Sequence, residues 1–282
     1  MVRDPVPGVQ VAARTDEDHP VTASEQTSTG RDLIEAGTPV AGSMSRAAAT
    51  VVFDPAAAMV KVDHRFAACL SAAADEAAGL RIPRERVRAG AVLAFAVEYA
   101  ATLHRNGRPA RTDGWFDERP GNRPAAHELA EAVLAAARRS TEERRVRHLG
   151  YLLAEVAVSP DVDLDLAGRA LRLAEVSSWR QLAILAAVGR RERVPLPMAP
   201  LEDEPRAWTA WGAREDVTDL QVAGLLAPPV GAARPGATLP RLRTADLRLT
   251  RRGVLVHRLL VLDLLHEDAV VAALRDLGLP RS

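Results

Sequence analysis

Residues 213–265 read AREDVTDLQVAGLLAPPVGAARPGATLPRLRTADLRLTRRGVLVHRLLVLDLL, and the order of signals in them decides the fold class. Helix formers run up to Gly224-Leu225-Leu226, and a loop rich in proline and glycine follows. From Leu239 to Leu249 apolar and polar residues alternate, which is the period of a strand with one face buried. Leu249-Thr250-Arg251-Arg252-Gly253 then opens a run with Leu255, Leu259 and Leu262 on one helical face. Thr250 brings a hydroxyl that can cap this helix, and Gly253, lacking a Cβ, lets its first turn lie close to the preceding chain. The reading is helix, two-stranded hairpin between Leu239 and Leu249, then closing helix.

This order resembles the winged-helix regulators of the MarR and PadR kind, over roughly residues 165–265. In such proteins the middle helix ends in a Gly-Leu-hydrophobic step, and the wing leads through Leu-Thr-x-x-Gly into a leucine-bearing helix. A second resemblance begins at Glu142, where an arginine-rich helix runs into HLGYLLAEVAVSP and then SWRQLAILAAVG. It is to the bacterial Abi-alpha abortive-infection proteins, and it implies a phage-defence context without a mechanism. The expected fold class is mainly α: a helical N-terminal region and a C-terminal winged-helix-like domain with a small β-hairpin.

Two functions follow from the charges, and they pull apart. A helix that reads duplex DNA must tolerate phosphates, yet residues 213–226 carry Arg214 against Glu215, Asp216 and Asp219. Residues 230–258 say the opposite, with seven arginines against Asp246 alone. A DNA-binding regulator would therefore grip phosphates through Arg241, Arg243, Arg248, Arg251 and Arg252, with strong salt dependence and little base reading. The alternative is a protein-interaction or phage-defence module that uses the same fold without DNA. Both stay open at this point.

Working outward, residues 1–45 hold seven acids against three arginines among turn formers and read as a disordered tail. The chain turns apolar at once from Met44-Ser45-Arg46, so the preceding stretch also reads as leader sequence. Residues 46–124 form a helical region with a loop: helices over 55–80 and 84–106, then the irregular 106–124. The second helix is apolar all round from Ala89 to Leu103, which demands burial, either within the chain or in a homodimer built on Pro55–Leu103. Trp115 and Phe116 read as a plug on that helical core. Residues 125–282 open with one long helix or two abutting ones to 158, and the arginines between Arg138 and His148 read as a solvated basic stripe. Helices from Asp165 to Val176 and from Trp179, capped by Ser178, follow.

The 282 residues carry 37 basic and 37 acidic side chains, so no overall field draws nucleic acid or membrane to the protein. Only 4% of residues are aromatic, so the core must be built from Ala, Leu and Val. The lone cysteine, Cys69, excludes an internal disulfide and reads as buried filler in a cytoplasmic protein. The longest uncharged run, Leu220–Ala233, is too short to span a bilayer. Catalysis lacks a motif. Asp161-Val-Asp163-Leu-Asp165 imitates a calcium loop but has Leu166 and Arg172 where glycine and glutamate are needed. The seven histidines form no metal pair, so neither an enzyme nor a cofactor is expected.

Overall fold

The computed structural model describes residues 63–118, 120–202, 205–228 and 242–278. Among them nine α-helices and two 3-10 turns make up the regular structure: α1 His64–Ala78, α2 Pro83–Arg105, α3 Ala125–Arg139, α4 Glu143–Ala157, α5 Leu164–Val176, α6 Trp179–Gly189, α7 Trp208–Val222, α8 Arg251–Leu259 and α9 Glu267–Asp276. The expected disordered tail lies outside the described residues, as do positions 55–62 of the first predicted helix.

Helix ends fall where side chains satisfy the orphan amides. Asp63 accepts from Arg65 N at 2.9 Å, and Asp163 from Leu166 N at 2.8 Å. Ser178 and Gln181 form a reciprocal capping box. Of the two forms expected over 125–158, one long helix or two abutting ones, the chain takes the second, because Ser140 adopts an extended ψ of 127° after α3 and turns the chain.

Helix α2 is the axle of the N-terminal part. Ala89, Ala91, Val92, Leu93, Phe95 and Ala96 are each at most 1% exposed, covered by α1, α3 and α4. The apolar surface that suggested a homodimer is thus consumed by the chain itself. Where α4 crosses α2 the spacing is set by Gly150: a Cβ there would lie 2.5 Å from the Val92 carbonyl oxygen. Trp115 plugs the same core at 6% exposure, under the Arg111 guanidinium 4.3 Å from its ring centroid. Cys69 is buried in α1, and burial pushes its thiol up to about 12.

Helices α3 and α4 carry the core onward to α5, and α8 joins α5 and α4 to α6, which α7 and α9 cover from the other side. Thr250 caps α8 through Gly253 N at 3.1 Å. Gly253 approaches so closely that a Cβ would stand 2.1 Å from the Leu225 carbonyl oxygen. The closing helix is shorter than its leucine pattern, since Val261 takes φ 49° and ψ 49°, a left-handed conformation costly for a β-branched residue. Arg190 holds that joint by donating to the carbonyls of Leu262 at 2.8 Å and Asp263 at 2.9 Å, and to that of Leu265. Helix α9 beyond it was not foreseen.

The winged-helix hairpin requires correction. Leu239, Pro240 and Arg241 lie outside the described residues, but 242–249 form no strand: Thr244–Asp246 is a 3-10 turn. Among the described residues, the pairing that involves this stretch shrinks to two single antiparallel bridges, Pro200 with Arg243 and Leu226 with Leu249. The reason is competition for backbone groups by the loop before α7. Leu201 N donates to Leu242 O at 2.7 Å and Ala245 N to Pro197 O at 3.3 Å, while the Thr244 hydroxyl donates to the same Pro197 oxygen at 2.8 Å. A period-2 pattern fits an extended chain laid on a loop as well as it fits a strand.

Candidate interaction surface

The arginines proposed for phosphate contact do not form one free set. Arg241 lies outside the described residues. Arg243 faces Asp246 at 3.7 Å. Arg248 donates to the carbonyls of Ala245 at 2.5 Å and Leu247 at 2.9 Å. Arg252 donates to Ala223 O at 2.8 Å, where it satisfies the C-terminus of α7. Arg251 alone of the described four is exposed with no polar partner among the described residues.

Most of the basic stripe of Arg138 to His148 is also spent on structure, although Arg144 stays exposed with no partner among the described residues. Arg138 pairs with Glu85 at 2.9 Å and Arg139 with Glu175 at 2.7 Å. Arg145 is buried and donates to the carbonyls of Glu175 at 2.9 Å and Ser177 at 2.5 Å, which ties α4 to the end of α5. Arg147 lies over the Phe95 ring at 5.3 Å. His148 is buried too; its Nδ1 stands 2.8 Å from Leu260 O, so that nitrogen carries the proton. Burial pulls its pKa down to about 4.

Elsewhere buried charge is structural. The Glu155 carboxylate accepts from Arg108 at 2.9 and 2.7 Å and from Tyr99 at 3.3 Å. Burial raises the Glu98 carboxyl to about 8 against the pull of Arg147, and its Oε2 is buried without a hydrogen-bond partner among the described residues. A cleft of about 480 Å³ is lined by Arg111, Asp113, Asp117, Glu128 and Asp163 among others. Asp113 is taken by a bidentate pair with Arg111 at 2.8 and 2.5 Å, and Asp163 caps α5. No group of three or more His, Cys, Asp and Glu fit to hold a metal occurs among the described residues.

What the structure does expose is one face of α7. Trp208 is 82% and Trp211 48% exposed, and their rings meet edge to face at 5.8 Å. Helical spacing continues the stripe through Glu215 and Asp219, both exposed, to Val222 at 84%. The stripe is about 21 Å long at 1.5 Å per residue. The opposite face holds the helix in place through buried Ala213, Val217 and Leu220. The acids divide accordingly. Asp216 points inward to Arg180, which also reaches Asp276 of α9 at 3.8 Å. Glu215 has no ion pair among the described residues, and Asp219 receives only a 3.4 Å bond from Gln181. This surface was missed in the sequence because the helix was expected to start near Arg214, six residues late. The signal was present: Trp208, Trp211, Glu215, Asp219 and Val222 keep helical spacing.

Comparison with family models, curated proteins and solved structures returns no match. No helix among the described residues is long and apolar enough to cross a membrane.

Proposed function

We propose that this protein is a non-enzymatic protein-interaction module that docks a partner through the exposed face of α7. The observation that carries the reading is the tryptophan pair. An indole 82% in solvent is unfavourable apolar exposure in a free protein, and tryptophan is among the residues that most often anchor interfaces. The helix beneath it is fixed by its own core, so the face is presented rigidly at little ordering cost.

The experiment places a photo-crosslinking residue at Val222 in the source cells. The expected result is a discrete adduct destroyed by protease and unaffected by nuclease, and lost when Trp208 and Trp211 are replaced by alanine. A nuclease-sensitive adduct overturns the reading.

A second reading, duplex DNA, is favoured by one observation, the exposed Arg251, which has no polar partner among the described residues and stands beside Arg248 and Arg252. It requires an electrophoretic shift at low salt that weakens on Arg251→Ala, with a log–log salt slope lower by about 0.9 for the lost phosphate contact.

A further inference from the structure

We infer that the partner taken by the α7 face presents a basic, aliphatic segment. This rests on the docking reading above and adds the chemistry of the occupant. The two ends of the stripe, the tryptophan pair and Val222, offer apolar contact, and between them Glu215 and Asp219 project carboxylates without a cation partner among the described residues. Sequence around the helix strengthens the sign: residues 202–222 carry six acids against Arg206 and Arg214. Arg214 lies half-buried against Thr218.

Charge discriminates among the possible occupants. A second copy docked face to face about a two-fold axis would bring Glu215 and Asp219 against their equivalents, which repel. Phosphates of nucleic acid or of an anionic membrane are repelled for the same reason. The chain's own residues 1–45, with seven acids against three arginines, carry the wrong sign as well. An arginine or lysine helps twice. Its head meets the carboxylates, or a ring face in a cation–π contact, and its methylene stem covers indole surface. Alternating leucines fill the ends of the stripe.

The test uses the full-length protein and three synthetic helical peptides of about five turns, matched in a leucine stripe and differing only in whether the flanking positions are arginine, glutamate or glutamine. Fluorescence anisotropy of a dye-labelled peptide reports binding, a readout that survives loss of the tryptophans. The arginine peptide is expected to bind at least about tenfold tighter than the glutamate peptide and to weaken with salt. Glu215→Lys with Asp219→Lys should invert that order, and Trp208→Ala with Trp211→Ala should weaken binding about 30-fold. These side chains are exposed, so the fold is retained, and circular dichroism verifies it. Equal binding of all three peptides, still dependent on the tryptophans, overturns the basic partner and leaves the docking reading standing. Absence of binding, or binding indifferent to the tryptophans, overturns both. A dimer in sedimentation that dissolves in the tryptophan double variant assigns the face to a second copy and ends the inference.

Discussion

Helices α2 and α7 invert the usual relation between hydrophobicity and exposure. Helix α2 is apolar nearly all round and looks like a surface in search of a partner, yet Ala89–Ala96 is wholly enclosed by α1, α3 and α4. Helix α7 is studded with acids and looks like a solvated helix, yet it leaves two indoles in water. The difference teaches that a docking face is marked by what the rest of the chain leaves uncovered. Apolar content alone does not mark it, because neighbours can absorb any amount.

The strongest way to break the comparison is to wedge the enclosure of α2. Gly150→Val places a Cβ 2.5 Å from Val92 O and 2.8 Å from Phe95 Cβ, and α4 must lift off α2. A loss of about 3 kcal/mol or more is expected in chemical denaturation. A loss under about 1 kcal/mol would mean that the crossing is looser than the structure has it.

A subtler probe of the same enclosure is Glu98 on α2, whose carboxyl is held up at about 8 from an ordinary 4.5 by burial, against the pull of Arg147. In the unfolded chain this group ionises first, so the unfolded state releases its proton between those values and stability falls as pH rises through that window. Glu98→Gln should remove that slope, gaining about 2 kcal/mol on the wild type between pH 4.5 and pH 8, less than the full shift because the site is not completely dry. Parallel stability–pH curves for the two proteins refute it.

The smallest effect belongs to α7. Trp208→Ala with Trp211→Ala should change thermal stability by no more than about 0.5 kcal/mol, since neither ring supports the core. A larger loss would make the pair structural and would end its reading as a docking anchor.

The fold was legible where local chemistry decides it. Thr250 and Gly253 cap and seat α8 as their residue types require, and Asp163 and Ser178 start α5 and α6. It was illegible where a distant partner decides. Nothing near Leu242 or Thr244 shows that the loop at Pro197–Leu201 will claim their backbone. The candidate surface suffered most. An arginine that satisfies a helix end, as Arg252 does, has the same letter as one free to grip a phosphate. Conversely, Trp208 and Trp211 precede the residues that mark the helix, with no capping side chain to announce its start.

The contact at Gly150 has a mechanical side. Packed helices ordinarily slide past each other by small side-chain adjustments, but at Gly150 the backbone of α4 lies so close to the Val92 carbonyl oxygen, the Phe95 Cβ and the Ala96 amide of α2 that no added side chain fits between them. So close an approach disfavours shear, and the two helices are expected to move as one rigid unit.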